Sequence, residues 1–358
     1  MRRTVAVLFW TLAGLVACER ALSLHDQSSR RSSSRLRRLV PPALLEGKSV
    51  AAMRVVDTAR RETLLYARTS GGWRCLSRAG VPADEARLAG FINRVLEAQG
   101  ILQKADTGRR DRFGLDAPHL LRVSLHGPRA FQEHGQDLIA LAEIGAAMPG
   151  GRGTYARPGM SLDVIAVDDD LRGDLAWPKE PGLAPLVDPR IVPGAWSGSA
   201  SVERIEVHPE GGAPFELRKR PRAVKREEML GGRVPWDWQL ATGASERPTS
   251  PGLVDAYARF LQSATFELAL DPRGADGLGL ARPRARIVLR PVEGPPVEIQ
   301  VGGRLPAGRI AVRNGLTKSV FAVDAEVSAL LVPRAAALLS RARANPWEAW
   351  PGENQGQP

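Results

Sequence analysis

The sequence predicts an α+β fold made of two tandem repeats, each an antiparallel β meander packed on one amphipathic helix. Three observations predict it. Short blocks of residues recur in one order in the two halves of the 358-residue chain. Each half holds a segment with apolar residues at helical spacing. Short runs of alternating apolar residues, separated by Gly and Pro, follow that segment.

The blocks come first because a repeat separates scaffold residues from the rest. Trp73 in GGWRCL recurs as Trp238 in WDWQL, and FGLDAP at 113–118 becomes LGLARP at 278–283. RVSL at 122–125 is answered by RIVL at 286–289, and EIG ending at Gly145 by QVG ending at Gly302. Finally TYARPGMSLDVIAVDDDLRGDL, from Thr154, matches IAVRNGLTKSVFAVDAEVSALL, from Ile310.

Within the first copy, residues 53–56, 64–66 and 73–76 read as strands ahead of the helix. Val81-Pro82-Ala83-Asp84 opens a helix along which Leu88, Ile92, Val95 and Leu96 form one apolar stripe. Leu121, Val123 and Leu125, then 138–144, Tyr155 and 164–167 supply the strands after it. In the second copy 205–207, 215–217 and 238–240 precede a helix striped by Leu253, Tyr257, Phe260 and Leu261. The expected domains are 49–193 and 194–344, joined through a Pro- and Gly-rich stretch over 176–200. A polar tail over 345–358 is expected to be disordered.

The N-terminus reads as an address. Arg2 and Arg3 precede an uncharged apolar stretch over 5–17, an arrangement typical of a secretory signal and too short for a bilayer core that needs roughly 20 residues. It ends in Leu15-Val16-Ala17-Cys18, which resembles a bacterial lipobox and makes Cys18 the candidate lipidation site; an uncleaved anchor and a buried helix are the alternatives. Residues 1–18 are then the signal, and 19–48 a basic flexible tether carrying Arg30, Arg31, Arg35, Arg37 and Arg38. The protein is expected to be exported and membrane-anchored, on the periplasmic face of the inner or outer membrane.

Charge and composition narrow the chemistry. A formal net charge of +11 with 43% hydrophobic residues describes a globular chain whose positive excess is spread out, mainly as arginine, so no nucleic-acid partner is expected. The only cysteines besides Cys18 is Cys75, which excludes a disulfide framework or a Cys-x-x-Cys metal site in the mature domains. The run Asp168-Asp169-Asp170 looks like a cation site, but its counterpart Asp324-Ala325-Glu326 also lies between a strand and a helix, so Asp168 and Asp324 are expected to cap helices. Gly150 to Gly153 lacks the Gly-Lys-Ser/Thr ending of a phosphate loop and reads as a hairpin tip. Ser124 and His126 share a strand face without a nucleophile elbow, and Asp116 is replaced by Ala281 in the other copy. No catalytic residue, metal site or cofactor is expected. Arg157 and Arg313 hold the same position on equivalent strands and form the possible anion-binding pair, with surface ion-pairing as the plainer alternative. Trp347 and Trp350 in the tail could dock on a partner or membrane interface.

The motif order resembles a bacterial family, domain of unknown function 4340. The likeness rests on Trp73 and Trp238, the Pro82-Ala83-Asp84 helix start, the Gly-Leu-x-x-Pro boxes at 114–118 and 279–283, the strand ends at Gly145 and Gly302, and Tyr155-Ala156-Arg157. The resemblance covers roughly 49–333. It implies an envelope protein with one N-terminal anchor that accompanies an ABC-type transporter or another envelope complex. It carries no catalytic residues. The short apolar N-terminus with Cys18 departs from the family's membrane-spanning anchor.

Overall fold

The computed structural model describes residues 36–45, 48–103, 110–116, 119–129, 137–159, 161–178, 183–193, 202–221 and 236–339. Cys18 and the signal, the first part of the tether, the 194–201 boundary and the tail with Trp347 and Trp350 lie outside them. The fold is mixed α+β, with two large antiparallel sheets and few helices. The chain packs into two compact units: residues up to 65 with 86–176, and 66–85 with 177–358. No helix among the described residues is long and apolar enough to cross a membrane.

The first sheet is built from β1 (Leu36–Arg38), β2 (Ala52–Asp57), β3 (Glu62–Thr69), β4 (Gly72–Cys75), β5 (Val81–Pro82), β6 (Gln99–Gln103), β7 (Leu121–His126), β8 (Leu138–Ala147), β9 (Thr154–Pro158) and β10 (Val164–Val167). Its order is β1-β6-β10-β9-β8-β7-β2-β3-β4-β5. Helix α1 (Glu85–Glu97) connects β5 at one edge to β6 near the other. The strands before and after the helix therefore share one sheet, joined where β2 pairs with β7. Alternation decides the faces: Leu121, Val123 and Leu125 are buried while Arg122, Ser124 and His126 turn to the other side. Leu88, Phe91, Ile92 and Val95 form the buried stripe of α1, each such burial contributing about 1.5–3 kcal/mol.

The second sheet contains β11 (Val202–Pro209), β12 (Phe215–Pro221), β13 (Trp236–Thr242), β14 (Ser245–Pro248), β15 (Leu268–Leu270), β16 (Ala285–Pro291), β17 (Val297–Arg304), β18 (Ile310–Asn314) and β19 (Val320–Val323). Their order is β14-β13-β12-β11-β16-β17-β18-β19-β15. Helix α3 (Pro251–Ser263) lies between β14 and β15 in sequence and buries Val254, Tyr257, Ala258 and Leu261. Short helices α2 (Leu171–Asp174), α4 (Ala325–Leu331) and α5 (Ala335–Leu339) follow the last strands of the two sheets.

In each unit a Gly-Leu loop covers part of the outward face. Leu115 and Leu120 pack with Val164, Phe113 and Tyr155; Leu280 packs with Ala311 and Val320. Gly114 and Gly279 adopt φ of 60° and 72°, open to Gly at no steric cost. A side chain at Gly145 would meet the Phe113 carbonyl, and one at Gly302 the Leu278 carbonyl. The box and the strand-end glycine thus form one contact. Strands β10 and β19 are buried on both faces.

Several expectations change. Asp170, not Asp168, caps α2, accepting the Gly173 N–H at 2.8 Å, because the chain bends for two residues after β10 ends. Asp324 caps α4 as expected, accepting from Glu326 at 2.7 Å. The basic tether does not extend to residue 48 as a free linker: Leu36–Arg38 pair with β6, and Leu39 and Val40 are each 1% exposed, Leu39 donating its N–H to Ala98. Trp238 is core, donating from its indole to Asp255 at 2.9 Å, whereas Trp73 is half-buried. The glycines at 150, 151 and 153 turn the β8–β9 hairpin, all at positive φ.

Candidate anion-binding site

Antiparallel register sorts the outward side chains of the second sheet into rows across its strands, where direct neighbours lie about 4.5–5.5 Å apart at Cβ. One row is basic: Arg218, Arg204 and Arg290. The next holds Glu216, Glu206, Val288 and Glu298. A third runs through His208, Arg286, Gln300 and Arg313.

The first two rows neutralise each other. Arg290 pairs with Glu206 at 2.6 Å, Arg204 with Glu216 at 2.8 Å, and Arg218 closes on Glu216 with both nitrogens of its fork. Burial pushes the Glu216 carboxyl up, but the Arg218 guanidinium, with the charges of Arg204 and Arg290, outweighs it and holds the group below the usual carboxylate range. Farther out, Arg220 reaches Glu246 at 3.1 Å.

The third row is left unbalanced. Arg286 places its Nε 3.0 Å from Glu298. Gln300 donates from Nε2 to the same carboxylate at 2.7 Å, and its Oε1 is buried without a hydrogen-bond partner among the described residues. Arg313 has a buried Nε, also without a partner among the described residues. Glu298 stands two residues from Gln300 along β17, roughly 7 Å at the strand rise, so it sits one row away from Arg313. These side chains line a groove of about 560 Å³ whose walls also include Val288, Pro296, Leu316 and Lys318. That volume is in the range of small-molecule sites.

The first sheet answers the same need internally. Its row is Val56, Arg122, Glu143 and Arg157. Glu143 is 4% exposed and bridges two guanidiniums: Oε1 accepts from Arg122 Nη2 at 3.0 Å, and Oε2 from Arg157 Nε at 2.7 Å and from its Nη2. Where the row of the first sheet has Glu143 between Arg122 and Arg157, that of the second has Gln300 between Arg286 and Arg313. The two arginines singled out by sequence therefore differ in kind. Arg157 is a largely buried ion-pair member rather than a surface one, and Arg313 has no ion pair among the described residues. No family model, curated protein or solved structure matches this chain. The site's chemistry has to be read from its own geometry.

Other candidates come together less fully. Ser124 Oγ and His126 Nε2 lie 3.0 Å apart, and burial, with the nearby Arg54 charge and against that of Asp137, holds the imidazole below its ordinary range. Among the described residues no group hydrogen-bonds the second ring nitrogen, so the pair lacks the orienter that nucleophilic catalysis uses. Cys75 is buried, and desolvation raises its thiol, opposed mainly by Ser77; it is an unreactive core position. Among the described residues no group of three or more His, Cys, Asp or Glu side chains is placed to hold a metal ion. Sequence reasoning missed Arg286, Gln300 and Glu143. The signal for them was the Glu-to-Gln exchange inside the EIG/QVG block.

Proposed function

We propose that this chain is a non-enzymatic binding module of the bacterial cell envelope, tethered through Cys18, whose second unit captures an anionic group at Arg313. One observation carries the reading: among the described residues Arg313 has an unpaired buried Nε beside a groove, whereas in the matching row of the first sheet Glu143 pairs with Arg157. A buried unpartnered donor is costly unless something pairs with it, and a guanidinium pairs best with an anion.

The two-copy reading belongs to the same proposal. Taken from β5 toward β6, the first sheet's order matches the second's from β14 toward β15 strand for strand, with β1 as an addition. A further pair of segments supports it: Leu39-Val40-Pro41 and Ile191-Val192-Pro193 each donate their first N–H to the residue at a helix end, Ala98 and Ala264. On this view one copy closes the row with its own carboxylate, and the other leaves it open. The resemblance to domain of unknown function 4340 supplies the setting, an envelope complex such as an ABC-type transporter. Affinity purification from membranes that recovers no envelope protein would sink that part.

The anion site is tested by retention of the full chain on an anionic matrix and on vesicles containing phosphatidylglycerol. Retention should fall as salt is raised. Arg313→Gln should weaken it at least tenfold and Arg122→Gln should leave it unchanged. Retention that survives Arg313→Gln refutes the site.

A further inference from the structure

We infer that the anion captured at Arg313 is the free C-terminal carboxylate of a partner polypeptide ending in an apolar residue; this rests on the anion-binding reading above. Three features of the groove specify the ligand, and one terminal residue supplies all three.

The first is a planar monoanion. In the first sheet the group that satisfies this row is a carboxylate, each oxygen facing one guanidinium. In the second sheet Arg286 is already engaged by Glu298, so a single guanidinium remains for the ligand, with the exposed Lys318 on the rim. Glu206 and Glu298 line the same groove, which disfavours a second negative charge on the ligand.

The second is a hydrogen-bond donor beside the anion. Gln300 Oε1 is a buried acceptor with nothing to accept from. The amide cannot be turned to relieve it, since that would set Oε1 against the Glu298 carboxylate that Nε2 now serves. A fully ionised phosphate or sulfate group offers only acceptors and leaves Oε1 unsatisfied. A terminal residue carries its own amide N–H on the same Cα as the carboxylate.

The third is an apolar wall. Leu316 is 51% exposed, and Pro296 and Val288 line the groove with it. An apolar side chain on the terminal residue would cover Leu316, whereas a sugar acid, which also has donors, has no apolar body to do so. Capture of a C-terminal carboxylate together with a pocket for its side chain is a recurrent mode of peptide recognition.

Isothermal titration of the full chain decides the matter. The probes are acetyl-Ala-Ala-Leu as the free acid, the same peptide as the C-terminal amide, galacturonate and inorganic phosphate. The free acid should bind, the amide at least tenfold more weakly, and galacturonate and phosphate more weakly than the free acid. Arg313→Gln should abolish binding. Gln300→Glu, which places a carboxylate in the row as in the first sheet, should abolish it too, with a lowered unfolding midpoint because the new carboxylate faces Glu298. Amide binding as tight as the free acid, or phosphate or galacturonate binding equal to it and dependent on Arg313, overturns the peptide inference and leaves the anion site standing. Absence of Arg313-dependent binding for every probe overturns the site itself.

Discussion

Replacing Glu143 with Gln would give the first sheet the row that the second already has, and its cost can be worked out. Breaking a buried ion pair by removing one partner costs about 3–5 kcal/mol, because the remaining charge is left without compensation. Two features lower the figure here. Gln keeps the volume and one acceptor oxygen, and Arg122, at 49% side-chain exposure, is solvated enough that its share is at most ~1 kcal/mol. The loss falls mainly on Arg157, whose side chain is 11% exposed. A destabilisation of ~2–3 kcal/mol follows, and at ~2–4 °C per kcal/mol for a unit of this size the melting midpoint should drop by roughly 5–10 °C. Urea unfolding followed by near-UV circular dichroism would measure it. The deficit should persist at 1 M salt, since a buried pair is screened far less than an exposed one. The same variant should gain a carboxylate site at Arg157, detectable as new binding of acetyl-Ala-Ala-Leu when Arg313 is already Gln. A loss below ~0.5 kcal/mol, the range of ordinary surface substitutions, would refute the bridging role of Glu143.

Glu216 predicts a pH dependence for the second unit. Its folded carboxyl titrates below its unfolded value, so its stabilisation is present above the unfolded value and is lost as pH falls through the folded one; Arg218→Gln should flatten stability against pH below the ordinary carboxylate range, as read from urea midpoints between pH 3 and 7. Gly145→Ala should cost about 1–3 kcal/mol by forcing a methyl against the Phe113 carbonyl and Leu115, measured as a lowered melting midpoint. Asp170→Ala should cost about 1 kcal/mol as a lost helix cap, and Asp168→Ala close to nothing; equal effects in a thermal melt would return the cap to Asp168.

Much of the scaffold was legible because it obeys local rules. The stripes of α1 and α3, the alternation of β7 and β16, and the Gly-Leu boxes are set by residues within a few positions of one another. What was not legible depends on register. Arg122, Glu143 and Arg157 meet across three strands, 14 and 21 residues apart in the chain, and no periodicity links them. The conserved spacing of Arg157 and Arg313 suggested one shared role, while the deciding residue lay on a neighbouring strand. The Asp168 cap was misplaced by two residues because sequence marks the end of a strand better than the start of a four-residue helix. Segment β1 was read as tether because its arginines mask the apolar pair Leu39 and Val40, which alone signals burial.

The crossing of α1 from β5 to β6, and of α3 from β14 to β15, shapes how each sheet can assemble. β16 and β17 close over eight residues, Leu289 opposite Val297, whereas the seam between β11 and β16 joins residues 84 apart. At about 0.6 kcal/mol for each doubling of loop length, that seam carries roughly 2 kcal/mol more closure entropy than the hairpin. The hairpins on either side of the helix therefore close at lower entropic cost than the seam. Inward, β7 and β16 present β11 with the same apolar alternation. A chain of this architecture is exposed to strand exchange between its halves during refolding, and the outward rows, Ser124 in one and Val288 opposite Glu206 in the other, are what tells the correct partner from the wrong one.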